Sequence, residues 1–330
     1  MERVSSILGS VFGGGSSGGE SVVPAAAATV TSIFIYPIKS CKGISVPQAP
    51  ISSTGFRWDR QWVVVNAKRR ACTQRVEPKL AVLEAHLPAD AFNQGWQPTD
   101  SSYLVLRAPG MEELKISLTK PCDVIDDITV WDWNGAALDQ GPEVAEWLSN
   151  YLGKPYRLVR FNTASQNRVV DPEYAHSNEY RTMFHDEYPF LLASQGSLNA
   201  LNELLEEPVP INRFRPNIFV DGCDPFAEDM WTEIKINKSI FHGVKLCARC
   251  KVPTVNQETG IFSGAEPTAT LMKIRSDKVL RPTKKQGGKV YFGQNLVCKD
   301  SLTERKGKII QVGDPVYVYK KVSSAADAAA

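Results

Sequence analysis

Apolar positions along this chain recur mostly at every second residue, in short runs. In the first half the runs cover residues 30–36, 61–66, 70–75, 81–86, 103–107 and 114–118, separated by Gly, Pro, Asn and Asp. A period of two puts alternate side chains on opposite faces of a sheet, so each run predicts a strand. Asn66-Ala67-Lys68-Arg69 reads as a hairpin turn. Helical spacing enters at Val144, Trp147, Leu148, Tyr151 and Leu152, which form one apolar stripe. Asp139 and Pro142 suit the start of that helix, and Gly153 and Pro155 its end.

Residues 161–188 are polar, aperiodic and rich in Asn, His and Tyr. A connection of that length within a compact domain is functional or disordered. Beyond it, residues 189–193 read as a strand. Ser194 then caps a second helix that turns Leu198, Leu201, Leu204 and Leu205 inward. Further strands are expected at 217–220, 233–236, 244–247, 289–292 and 309–319, with a helix near Thr268–Ile274. Many short strands with few helices predict a mixed, β-rich α+β chain built on barrels, not a doubly wound parallel sheet.

At 330 residues the length suggests two domains. Gly, Ser and Ala dominate residues 1–29, which predicts a disordered leader, and the Ala-rich residues 322–330 predict a disordered tail. Residues 21–38 carry no charge, but Pro24 and the alternation that follows make them a linker into the first strand rather than a membrane span. The helix at 142–152 closes a first domain over 30–155 and leaves 156–321 to a second. With 38 basic against 36 acidic residues, the net charge of +2 gives no electrostatic footprint for nucleic acid. Seven scattered cysteines, an odd and sparse set, predict free thiols in a reducing compartment.

Candidate chemistry begins at Cys247-Ala248-Arg249-Cys250, where two thiols leave a strand with a guanidinium between them. A free thiol is only about 3 % ionised at neutral pH, so forming thiolate costs roughly 2 kcal/mol that a cation or a soft metal must supply. A four-ligand zinc site needs partners that the four histidines do not supply by spacing, and Lys251-Val252-Pro253 is a poor helix start for a thioredoxin-like dithiol. Two buried structural cysteines remain the plain alternative. A second constellation is basic: Lys39-Ser40, Arg57, Arg60, Arg213, Arg215 and Arg249 sit at strand ends. If they converge, such cations form a phosphate cradle; if they do not, they are surface charge.

Several blocks resemble a known family. Ile35-Tyr36-Pro37-Ile38-Lys39-Ser40-Cys41-Lys42-Gly43 and Arg57-Trp58-Asp59-Arg60-Gln61-Trp62 are similar to the MOSC N-terminal β-barrel domain. Phe214-Arg215-Pro216-Asn217-Ile218, Ala227-Glu228-Asp229-Met230-Trp231, the two-thiol loop, Phe292-Gly293-Gln294-Asn295 and Val312-Gly313-Asp314-Pro315-Val316-Tyr317 resemble the MOSC β-barrel domain. The blocks occur in order from about residue 30 to 320 and resemble most the mitochondrial amidoxime reducing component family. That resemblance implies an oxidoreductase using the molybdenum cofactor (Mo-molybdopterin) to reduce N-hydroxylated compounds such as amidoximes and hydroxylamines. Electrons would come from NADH through NADH-cytochrome b5 reductase and cytochrome b5.

By position the resemblance implies Cys250 as the catalytic thiol and metal ligand. Lys39, Ser40, Arg60, Glu187, Tyr188, Arg215, Asn217, Ala248, Arg249 and Asn295 fall at cofactor-binding positions. Glu187 and Tyr188 replace Thr and Ser of animal members, Ala248 replaces Ser, and Asn295 stands where some members carry Tyr. His185 and Asp186 are candidate proton donors. Animal members are anchored to the mitochondrial outer membrane, which implies a mitochondrial location; the leader shows no convincing anchor, and a cytoplasmic location is the alternative. A related architecture in molybdenum-cofactor sulfurase implies an alternative function, a cofactor carrier or sulfur-transfer module.

Overall fold

The computed structural model describes residues 25–303 and 307–328. Residues 1–24 of the expected leader and 329–330 of the expected tail lie outside the described residues. Seven strands close on themselves. Ala28–Ile35 lies between Ile218–Asp221 and Pro315–Lys321, and the ring continues through Trp231–Ile236, Ser239–Ala248, Tyr291–Cys298 and Phe190–Ser194 back to Ile218–Asp221. Closure removes the sheet edges, which would otherwise offer unpaired backbone groups to other chains. One neighbouring pair in the ring is parallel, Phe190–Ser194 with Ile218–Asp221, in register Leu192 to Ile218. A parallel pair needs a crossover, and the helix Gln195–Asn202 lies in it. Ser194 caps that helix by accepting a 3.1 Å bond from the Ser197 amide. Leu198 and Leu201 are buried as expected, but Leu204 is 56 % exposed because the helix ends at Asn202.

Alternation explains the inner face of the barrel: Val30, Ile33 and Ile35 are fully buried while Thr29 and Thr31 face out or to the rim. Tyr291–Cys298 is buried at every position, since both of its faces are covered. Outside the barrel, Val124–Val130, Trp133–Asp139, Tyr156–Phe161 and Trp62–Asn66 form an antiparallel four-stranded sheet. Against its inner strand Tyr156–Phe161 packs the helix Pro142–Leu152, which ends at Gly153 in the left-handed region (φ 75°). Residues 70–75, expected as a strand, make only isolated bridges at Arg70 and Ala71 before a turn at Thr73–Glu77. The tail beyond 322 contains a helical turn, Ala325–Ala328.

The two halves share strands. Ala28–Ile35 is a stave of the barrel that the C-terminal half otherwise builds. Tyr156–Phe161, C-terminal to the expected boundary at 155, pairs with Trp62–Asn66 and Trp133–Asp139. Ile309–Gln311 pairs with Gln48–Ser52. One apolar core accordingly runs without a break from Ile33 and Val64 through Leu104 and Trp147 to Ile234 and Val316.

Candidate active site

The residues that the sequence singles out stand at strand ends facing one side of the barrel, and their backbone is unusual. Ser40, Arg60 and Arg215 all lie in the left-handed region, at φ 68°, 47° and 57°. For residues with a Cβ such conformations cost about 1–3 kcal/mol each and persist where the surroundings impose them. Here the imposed bonds are visible: the Arg60 amide donates to Tyr36 O at 2.7 Å, and the Lys39 amide to Trp62 O at 2.8 Å. Gln74 Nε2 donates to Ser40 O at 2.7 Å, while Gln74 and Gln257 exchange amide hydrogen bonds at 2.9 and 3.1 Å. The strand-end loops of the N-terminal half are thereby fastened to the segment that follows the thiols.

Asp59 is the buried hub. Its carboxylate accepts from the Tyr36 amide (2.7 Å), Arg60 Nη1 (2.5 Å), His185 Nε2 (2.9 Å) and Asn217 Nδ2 (3.0 Å). Desolvation pushes its pKa up, but the Arg60 guanidinium and the His185 bond outweigh burial and hold it below the usual carboxylate range. Asn217 is spent on the protein: its amide also donates to Phe34 O and accepts from the Leu191 amide. Arg60 and Arg215 both stack on the Tyr36 ring, each guanidinium carbon 4.2 Å from the centroid.

Lys39, 4 % exposed, donates to Phe184 O at 2.8 Å and to Asp186 Oδ1 at 2.5 Å. Burial lowers its pKa to about 8 against the opposing pull of Asp186. Desolvation by the cavity walls works against the charge on Asp186. That carboxylate is nevertheless 72 % exposed at the mouth, and the Lys39 ammonium with the Trp131 N–H (2.9 Å) outweighs the walls and holds it below its ordinary range. Burial likewise pushes His185 down to about 4, although Asp59 pulls it up. At neutral pH Asp186 is therefore ionised and His185 neutral, with its Nε2 proton committed to Asp59. Neither suits the proton-donor role expected for it.

The two thiols differ. Arg249 Nη1 donates to Cys247 Sγ at 3.0 Å and Nη2 to Phe214 O at 2.8 Å. Burial still leaves the Cys247 pKa raised, with Arg249 opposing. Cys250, two residues past the strand Ser239–Ala248, is exposed. The guanidinium between the thiols thus serves Cys247, and the reading of two buried structural cysteines fails at Cys250.

A cavity of about 410 Å³ collects these groups. All of the expected residues line it: Lys39, Ser40, Arg60, Glu187, Tyr188, Arg215, Asn217, Ala248, Arg249, Cys250 and Asn295. Arg213 and Arg57, two of the strand-end cations, do not. Glu187 pairs with Lys245 at 3.2 Å, and Tyr188 is buried with an unpartnered hydroxyl. Arg215 Nη2, Arg249 Nε and His185 Nδ1 are also buried without a partner among the described residues. Sequence reasoning missed Arg75, Trp131 and Arg168 in the walls. Arg168 carries the segment 183–186 on bonds to Met183 O, His185 O and Asp186 O, and no spacing along the chain announces that. Arg249 and Cys250 also line a second hollow, a mostly apolar trough of about 640 Å³ with Phe262, Ala269, Met272 and Val290.

A closed barrel sharing a stave with a second β-rich half, and a cationic cavity ending on an exposed thiol, define a two-part MOSC protein. The MOSC N-terminal beta barrel domain matches residues 27–155 and the MOSC domain residues 179–317. The chain is 35 % identical to mitochondrial amidoxime reducing component 2 of Rattus norvegicus over 298 residues, covering 88 % of this chain and 82 % of that one. It is 33 % identical to mitochondrial amidoxime-reducing component 1 of Xenopus laevis (87 % and 81 % covered) and 32 % to that of Homo sapiens (88 % and 82 %). The chain belongs to the mitochondrial amidoxime reducing component family.

Proposed function

We propose that this protein is an oxidoreductase that holds the molybdenum cofactor and reduces N-hydroxylated compounds. The observation that carries the reading is an exposed thiol, Cys250, at the junction of a cation-lined cavity and an apolar trough. Unpartnered donors on Arg215 and Arg249, with Lys39 and Arg60 in the same walls, suit the anionic phosphate of a pterin. A thiolate suits a soft metal. Among the described residues no three His, Cys, Asp or Glu side chains meet. Cys250 would accordingly be one ligand to a metal whose remaining ligands come with the cofactor.

When bound, the cofactor supplies the two-electron chemistry that, with two protons, turns N–OH into N–H and water. The chain's part is to bind, orient and shield. Arg215 and Arg249 fix the anionic end, the Asp59 hub fixes Arg60 and Asn217, and Arg168 stiffens the segment that carries His185 and Asp186. The trough beside Cys250 receives the organic part of the substrate. A mitochondrial location, as in the relatives' names, and electrons from NADH through cytochrome b5 reductase and cytochrome b5, as the family resemblance implies, complete the proposal. No helix among the described residues is long and apolar enough to cross a membrane.

The test is benzamidoxime reduction with those electron partners. Cys250→Ala is expected to abolish turnover while the melting temperature stays unchanged, because the side chain is exposed. Full turnover by the variant contradicts the assignment. Wild-type protein that binds the cofactor and turns nothing over points instead to a carrier or sulfur-transfer module.

A further inference from the structure

A cavity of about 770 Å³, which shares Arg168 with the cofactor cavity, is unlike it in one respect: no carboxylate of the described residues lines it. Arg57, Arg160, Arg168 and Arg181 do, together with Ser, Thr, Gln and Asn side chains. Elsewhere in the chain arginines find acids; Arg107, Arg157 and Arg281 each pair with a carboxylate within 3 Å. None of the four in this cavity has a carboxylate within ion-pair distance among the described residues. They are anchored by backbone carbonyls instead, Arg57 on Trp96 O at 2.5 Å and Arg160 on Leu118 O at 3.2 Å. Stacking adds to the anchoring: Arg57 lies 5.0 Å from the Trp58 ring and Arg160 5.2 Å from that of Trp62. Among the described residues only Nη1 of each makes a hydrogen bond, which leaves Nε and Nη2 of both without a partner there. In the same lining, Thr182 is 1 % exposed and its hydroxyl has no partner among the described residues.

Like charges held together without a counter-charge raise the local potential and concentrate anions. Preset guanidinium forks match phosphate oxygens better than a diffuse patch of lysines does. We propose that this cavity is a second anion site, separate from the cofactor cavity, and that its ligand is a small molecule bearing two or more linked phosphates. Arg57 and Arg160 bind through their spare nitrogens, and Arg181 and the Thr182 hydroxyl complete the shell. Arg168 stands in the wall common to both cavities and stays on its carbonyls. The site is independent of whether the cofactor cavity does what is proposed above.

Inorganic pyrophosphate titrated calorimetrically into the full chain tests it. The expected result is saturable, one-to-one binding that weakens at least tenfold in Arg57→Gln and in Thr163→Glu. Thr163→Glu sets a carboxylate on the exposed rim, so it keeps the test valid if loss of Arg57 disturbs packing against Trp58. Arg215→Gln, in the cofactor cavity, is expected to leave the affinity unchanged. Absence of saturable binding overturns the proposal. So does binding that Thr163→Glu leaves intact, or that falls with Arg215→Gln instead.

Discussion

At Asp59 one carboxylate gathers four donors from four separate stretches of chain, with no water exposure. Removing its charge leaves Arg60 buried against a neutral amide and strands an N–H. Asp59→Asn is therefore expected to lose about 3–5 kcal/mol of stability, read by urea denaturation. His185 gives the pH dependence. Its pKa falls from 6.5 to about 4 on folding, so between those values the unfolded chain binds a proton that the folded chain refuses. The corresponding stability is fully present above about 6.5 and is lost as the pH falls to and through about 4, on the order of 3 kcal/mol in all. His185→Gln, which keeps a donor for Asp59, should flatten that limb of the stability curve; an unchanged limb would place the titration elsewhere. The Arg-Trp-Asp-Arg block was readable as a motif, yet nothing in it says that Asp59 and not a solvent ion accepts from Arg60 and His185. That depends on residue 185 returning across 126 positions of chain.

At the scale of the element, the pattern of alternation located most barrel strands but not where they bend. Two strands are expected at residues 233–236 and 244–247, and the structure makes them longer, Trp231–Ile236 and Ser239–Ala248, leaving only a turn at Asn237 with φ 52° between them. The second strand carries a bulge between Gly243 and Lys245, where its backbone closes on the neighbouring strand. A Cβ at Gly243 would collide with Trp231 O and Gln294 Nε2, and only one of those can turn aside. Gly243→Ala should cost about 1–3 kcal/mol, a drop visible in the thermal midpoint, whereas no change would mean that the barrel is slack there. Val124–Val130 and Trp133–Asp139 escaped the sequence reading because their faces are only half buried, with Asp126 and Asp127 inside the first. The irregular backbone at Asp127 (φ 59°), with the register shift opposite it between Gly135 and Ala137, breaks the alternation that a half-buried strand would otherwise show.

Across the whole molecule, a linear boundary near 155 describes the family matches but not the folding unit. The barrel takes Ala28–Ile35 from the far end of the chain, and the four-stranded sheet takes Tyr156–Phe161 from beyond the boundary. A fragment of residues 156–330 lacks one stave and opens the barrel between Ile218–Asp221 and Pro315–Lys321. It is expected to show no cooperative unfolding transition by circular dichroism, and a sharp transition would refute the shared-strand architecture. The candidate cavity was legible only because motif resemblance supplied its residues; composition and spacing gave cations at strand ends without their convergence. Arg168, Trp131 and Arg75 complete its walls with no sequence signal. Molybdenum per chain tests most directly the proposal that Cys250 and cations from both halves hold one molybdenum cofactor. Protein purified from a cofactor-competent host should carry the metal close to stoichiometrically, with Arg215→Gln and Cys250→Ala each strongly depleted. Wild-type protein free of molybdenum, or variants that retain it in full, would contradict the account.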